Sequence, residues 1–268
     1  MVNVEILTIG NEILLGLIQD TNSNYLCRVV RGMGGRVRHI AIVRDEIDEI
    51  AIGISDSIAR GADVVFTSGG LGPTDDDLTL AAIANATNRD LDVDENAREF
   101  VERRYRDLET KGFVADSIMT DSRLKMARLP QGAHAIDNPV GAAPGSQLLF
   151  DNARIISLPG VPAEMKAMVE GPLQSVLAGI FGHGSYREKE LIVDCGDESG
   201  LAPVLRRVAT SHPEVYVKSR ASHFGRHVMF RIVLSSSASS AEEAGRMIAE
   251  AATELTLALA DAGINEPS

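Results

Sequence analysis

The sequence predicts an α/β protein: a mostly parallel, doubly wound sheet followed by a small α+β domain. Three observations predict it. Strand-length apolar runs alternate with helix-length amphipathic stretches through residues 4–86, the pattern of successive βαβ units. One strand-to-helix turn, 67–79, is crowded with glycine and aspartate, and after a glycine-rich joint at 182–185 the pattern changes to β-α-β-β-α.

In chain order, strands are expected at 4–9, 37–43 and 64–67, with helices at 23–33, 47–59 and 78–86. Residues 94–111 read as a charged helix with a narrow apolar face of Phe100, Val101, Tyr105 and Leu108. The segment 138–145 is too rich in proline and glycine for regular structure, and 147–150 with 155–158 read as a hairpin returning to the sheet. A long apolar helix is expected from Pro162 to Phe181, since proline suits a first helical turn and Glu164 suits the positive end of the helix dipole. In the second domain the expected elements are strands at 190–193, 215–218 and 227–234 and helices at 200–209 and 241–260, with the serine run 235–240 as the turn into the last helix. The domain boundaries drawn from this pattern are 1–181 and 186–268.

Composition limits the function. A net charge of -12 and a pI near 5.0 oppose a nucleic-acid backbone or an anionic membrane as partner. Only Cys27 and Cys195 occur, which excludes a disulfide framework or a Cys-rich zinc site and points to a reducing compartment. No segment has the apolar length of a membrane span and no export signal opens the chain, so a cytoplasmic protein is expected. The six histidines show no paired ligand spacing, and the basic group Lys218, Arg220, His223, Arg226 and His227 reads as a solvated hairpin.

The chemistry concentrates in loops that a doubly wound sheet gathers at the carboxyl ends of its strands. The turn Ser68-Gly69-Gly70-Leu71-Gly72-Pro73-Thr74-Asp75-Asp76-Asp77 combines glycines, which allow close backbone approach to phosphate, with acids that would repel it. A hard cation shared by carboxylate and phosphate oxygens removes that conflict. The first loop supplies Gly10, Glu12, Asp20 and Asn22, and the second supplies Asp45, which either caps the next helix or faces the acid turn across a cleft. The turn is neither a P-loop nor a Gly-x-Gly-x-x-Gly dinucleotide turn, and no Gly-x-Ser-x-Gly elbow occurs.

Five ordered motifs carry a resemblance: Gly10-Asn11-Glu12-Ile13-Leu14-x-Gly16, Asp20-Thr21-Asn22, Gly69-Gly70-Leu71-Gly72-Pro73-Thr74-x-Asp76-Asp77-Leu78-Thr79, Asn138-x-x-Gly141-x-Ala143-Pro144-Gly145 and Leu158-Pro159-Gly160-Val161-Pro162-x-Glu164-Met165. Together they resemble the N-terminal part of the competence-damage-inducible CinA family. That resemblance implies a three-layer α/β/α sandwich of the molybdopterin-binding type, a KH-like second domain and a dimer or trimer. It also implies a metal-dependent pyrophosphatase, cleaving ADP-ribose to AMP and ribose 5-phosphate with Mg²⁺, Mn²⁺ or Co²⁺.

Carried over by motif, Asp45 and Asp77 hold the metal, and Asp76 is expected to join them as a catalytic carboxylate. Gly70 and Gly72 cradle phosphate, while Glu12, Asp20 and Asn22 line the nucleoside side. Gly10, Ser68, Gly69, Thr74, Asn138, Gly141, Gly145, Pro159 and Gly160 complete the expected ligand-binding set. Many relatives continue into an amidohydrolase domain that deamidates nicotinamide mononucleotide, an activity not expected of these residues. Many also carry Thr at Ala142, Asn at Arg123 and Gln at Met126, so hydroxyl and amide hydrogen bonds of the expected ligand rim are absent at these three positions. Two other functions fit the same motifs: a molybdopterin or nucleotide binding module without turnover, and an adenylyltransferase needing ATP and a pterin acceptor.

Overall fold

The computed structural model describes residues 2–182, 184–195, 197–221, 229–238 and 240–264. The chain divides into two compact units, Met1–Val30 with Arg36–Ile180 and Arg31–Gly35 with Phe181–Ser268. His223, Arg226 and His227 of the expected basic hairpin, His183 of the expected joint, and the start of the 227–234 strand lie outside the described residues.

The first unit runs β1 (Asn3–Ile9), α1 (Asn11–Leu14), α2 (Thr21–Gly32), β2 (Arg36–Val43), α3 (Ile47–Ala59), β3 (Val64–Ser68), α4 (Thr79–Ala86), β4 (Leu91–Val93), α5 (Glu95–Thr110), α6 (Asp121–Lys125), β5 (Arg128–Pro130), β6 (His134–Ile136), β7 (Gly145–Phe150), β8 (Ala153–Leu158), α7 (Pro162–Glu170) and α8 (Gln174–Phe181). Six strands form one sheet in the order β2-β1-β3-β8-β7-β6. The first four are mutually parallel, while β7 runs antiparallel to both β8 and β6, so that β6, β7 and β8 form a meander.

Strand alternation decides what covers each face. Leu7, Val65 and Ile155 pack with Ile50, Ile54 and Ile83 of α3 and α4, forming one core layer. On the opposite face Ser23 of α2 meets Thr8, and Met168 of α7 lies over Gly145. The result is the α/β/α sandwich that the resemblance implies.

Two features differ from the expectation. The apolar stretch 162–181 is two helices, because the proline at 172 cannot continue the ladder and Gly171 lies outside helical geometry at φ -121 and ψ -106. Short elements α1, β4, α6, β5 and β6 were not anticipated; at three to five residues each, they are too brief to show a period.

In the second unit β9 (Ser185–Asp194), α9 (Glu198–Ser211), β10 (Tyr216–Ala221), β11 (Met229–Ala238) and α10 (Ala241–Asp261) follow the expected order. The antiparallel sheet runs β10-β11-β9, with Leu191, Val193, Phe230, Ile232 and Leu234 packed against Leu201, Val208, Ile248 and Leu255. The serine run is strand rather than turn as far as Ala238: Ser235 pairs with Glu188 and Ala238 with Ser185, and the buried Ser236 hydroxyl donates to the Glu214 carbonyl. Cross-strand pairing overrides the low strand propensity of serine. Ser240 then caps α10, accepting from the Glu243 N–H at 3.1 Å. Among the described residues no helix is long and apolar enough to cross a membrane.

Candidate functional site

The parallel strands end on one edge, and the loops that follow them enclose a cleft of about 610 Å³ in the first unit, within the usual size of a small-molecule site. Each wall is explained locally. After β1 the chain turns at Gly10 into α1, whose first N–H, from Asn11, donates to Asp45 Oδ2 at 2.7 Å. Asp45 therefore caps α1 across the cleft and not the helix that follows it, α3, whose N-cap is Glu46 without a side-chain hydrogen bond. Asp20 accepts from the Ser23 N–H at 2.9 Å and from the Thr8 hydroxyl at 3.1 Å, closing the first turn of α2.

Beyond β3 the backbone is left-handed at Gly69 (φ 112) and Gly70 (φ 66). A Cβ at Gly69 would overlap the Ile9 carbonyl oxygen and one at Gly70 the Thr79 hydroxyl, so only glycine fits either position. Thr79 fastens the turn, donating its hydroxyl to Gly69 O at 2.7 Å and its N–H to Gly70 O at 3.2 Å. No described residue accepts the N–H groups of Gly70, Leu71 or Gly72.

Downstream, Asp77 Oδ2 receives the Thr74 N–H at 2.9 Å and its hydroxyl at 2.7 Å, and the same hydroxyl lies against Asp76. The Lys125 ammonium donates to Thr74 O. The Thr74 hydroxyl, with help from Lys125, holds the Asp76 carboxyl below its ordinary pKa.

Gly10, Glu12, Asp20, Asn22, Asp45, Gly69, Gly70, Gly72, Asp76, Asp77, Pro159 and Gly160 all line the cleft. Asn22, only 6% exposed, joins three loops by donating to Ser68 Oγ at 2.9 Å and Gly160 O at 2.8 Å. Five residues expected to bind ligand lie outside the lining. Ser68 is buried as the acceptor for Asn22, and Thr74 organises the acid turn. Asn138 is fully buried, accepting from the N–H groups of Val140 and Gly141 and donating to Ala143 O and Glu164 Oε2. It thereby shapes the proline-glycine loop from within, and Gly141 belongs to that internal network. Gly145 is a packing position, where a Cβ would strike Met168 and the Ser157 carbonyl.

Tyr105, Met126, Ala142 and Glu164 also line the cleft. Helical periodicity alone places Tyr105 on the apolar face of a solvated helix, and the fold brings it to the cleft. The Arg123 guanidinium stacks 4.0 Å from its ring centroid and donates to Asp116 and to Ile118 O, so Arg123 backs the tyrosine and Met126 meets the ligand space. Local sequence gives Glu164 the role of complementing a helix dipole; only folding brings it into one lining with the first loop.

The lining holds six carboxylates, from Glu12, Asp20, Asp45, Asp76, Asp77 and Glu164, and no Lys, Arg or His. Among the described residues no three His, Cys, Asp or Glu side chains converge as a metal cage. Asp45 and Asp77 each commit Oδ2 to a backbone N–H. With Oδ1 still available on each, this donor set fits a hard cation completed by ligand phosphate and water, and not a resident, fully protein-bound ion.

The family model for the probable molybdopterin binding domain matches residues 5–178. A Pyrococcus horikoshii protein is 36% identical over 228 residues, covering 85% of this chain and 88% of its own. One from Aeropyrum pernix is 39% identical over 241 residues, covering 89% and 87%. Among solved structures, the protein CinA of unknown function from Thermoplasma acidophilum aligns with a TM-score of 0.59 at 35% identity, covering 65% of this chain and 97% of its own.

Proposed function

The chain belongs to the molybdopterin-binding-domain family, among its CinA proteins, and on that premise we propose that its cleft binds a nucleoside diphosphate with a divalent cation and hydrolyses the diphosphate. ADP-ribose is the leading substrate, with AMP and ribose 5-phosphate as products. The observation that carries the reading is the pairing of free loop amides at Gly70, Leu71 and Gly72 with a lining whose charged side chains are all acidic. Amides alone would favour phosphate, the carboxylates alone would repel it, and a shared cation makes both favourable. When bound, Mg²⁺, Mn²⁺ or Co²⁺ neutralises charge on the phosphates and lowers the pKa of a bound water.

The chain's own residues do the rest. Asp45 and Asp77 hold one oxygen each toward the cleft because their other oxygens are fixed by Asn11 and Thr74. The Gly70–Gly72 amides donate to phosphate oxygens and stabilise the charge that grows as the bond to the leaving phosphate breaks. Asp76, kept ionised by Thr74 and Lys125, stays an acceptor at the rim for a water proton. Tyr105, Met126, Ile13 and Ile18 supply an apolar wall for the flat base.

A second reading, a pterin or nucleotide binding module without turnover, is favoured by the lack of a three-carboxylate cage among the described residues. Incubation with ADP-ribose, with and without Mg²⁺, Mn²⁺ or Co²⁺, separates the two. Metal-dependent AMP release from the wild type, abolished in Asp77→Asn at unchanged circular dichroism, is the expected result. Unchanged turnover in that variant sinks the assignment of Asp77, and binding without AMP in the wild type selects the module.

A further inference from the structure

Apart from the acids assigned to the cation, the cleft holds one carboxylate that the fold fixes from behind. Glu164, in the first turn of α7, receives an Asn138 side-chain N–H on Oε2 at 2.8 Å. Asn138 is fully buried and spends its other bonds on Val140, Gly141 and Ala143, so it ties that oxygen to the loop 140–143. A Cβ at Gly141 would overlap Glu164 Oε2, and glycine lets the loop close against the carboxylate. Glu164 Oε1 has no partner among the described residues, and no lysine, arginine or histidine in the lining offsets its charge. Asp20, by contrast, has both oxygens bonded, to the Ser23 N–H and the Thr8 hydroxyl.

The same loop joins Glu164 to the aromatic wall. Arg104 donates to Gly141 O at 2.8 Å and to Val140 O, pinning α5 to the segment that Glu164 touches. Tyr105 follows Arg104 in α5, Ala142 follows Gly141 in the loop, and both line the cleft with Glu164. Arg123 stacks on the Tyr105 ring and holds it in place. A flat wall beside one accepting carboxylate suits a base and its ribose. Hydroxyls donate to the carboxylate, as they do to the acidic residue of dinucleotide sites, whereas a phosphate on that ribose is repelled. We propose that Glu164 binds the ribose hydroxyls of the nucleoside half, with the base against Tyr105, and so restricts the cleft to nucleotides without a 2′-phosphate. This rests on the diphosphate reading above and narrows it to substrates whose nucleoside ribose keeps a free vicinal diol.

Titration calorimetry with Mg²⁺ tests it on binding alone, using ADP-ribose and two analogues altered on the adenosine ribose. The wild type should bind ADP-ribose about tenfold more tightly than the 2′-deoxy form and about a hundredfold more tightly than the 2′-phosphate form. Glu164→Gln keeps a carbonyl for Asn138 and removes the charge. In that variant ADP-ribose should bind about tenfold more weakly, and its advantage over the 2′-phosphate form should shrink at least about tenfold. A Glu164 that only supports the fold would weaken the three ligands alike, and an unchanged ratio in the folded variant overturns the proposal. Equal wild-type affinity for the three ligands overturns it as well, and that arm stands even if Glu164→Gln fails to fold. Metal-dependent AMP release without these ratios leaves the hydrolase reading in place and removes only this one, whereas no binding of any of the three removes both.

Discussion

Thr74 joins three of the charged groups around the cleft. Its N–H and hydroxyl take one oxygen of Asp77, its hydroxyl meets Asp76, and its carbonyl holds Lys125. It acts through Asp77, so it is a positioning residue. Thr74→Val keeps the shape, loses the hydroxyl and frees the Asp77 carboxylate to rotate. A kcat lower by about tenfold to a hundredfold is expected, with a smaller change in KM, and Thr74→Ser should restore most of it. If Ser fails to restore the rate, the hydroxyl is not the reason. The motif marked Thr74 as important, yet it could not say whether the side chain faced ligand or protein, because that depends on the path of the backbone through Gly70 and Gly72.

At the scale of elements, β1 carries a charge into the sheet. Glu5 is buried there and paired by Arg60 at the end of α3, with N–O distances of 2.6–3.1 Å, while His39 of β2 lies 3.8 Å away. Burial pushes its carboxyl up, but Arg60, Ser57 and His39 together outweigh it and hold the pKa below the usual carboxylate range. A depressed folded pKa contributes stability that is present above the unfolded carboxylate value, about 4.3, and is lost as pH falls through the folded value. Arg60→Met should therefore cost about 1–3 kcal/mol at pH 7 by leaving a buried acceptor short of partners. The gap from wild type should narrow as Glu5 protonates in acid. Urea melts across that range check it; a gap independent of pH would mean the loss is packing by the arginine stem.

The chain builds two distinct hydrophobic cores, one in each unit, one including Val65 and Ile155 and the other Ile232 and Leu255. Separate cores predict separate cooperative transitions. Ile232→Ala, at a fully buried position of the second core, should destabilise only the second unit, by about 2–5 kcal/mol. ADP-ribose with Mg²⁺ should raise only the transition of the first unit, which contains the cleft. Differential scanning calorimetry reads both effects, and a single transition shifted equally by mutation and ligand would show the units to be coupled.

Much of this was legible in the chain. Alternating strand and helix periods placed β1, α2, β2, α3, β3, α4 and the β7–β8 hairpin, and the rule that loops of a parallel sheet gather at one edge brought Gly10, Asp45 and Gly69 together. Periodicity and loop chemistry are local, and local rules reach that far. The tertiary structure decided what remains: that Asp45 caps α1 across the cleft, that Asn22 and Asn138 bond to protein, that Tyr105 and Glu164 join the lining, and that Arg123 stands behind Tyr105 rather than on the rim. It also made a strand of Ser235, Ser236, Ser237 and Ala238, because β9 offered them partners. Hydrogen bonds between residues tens to more than a hundred positions apart leave no period in the sequence; they form only when the sheet has set those residues side by side.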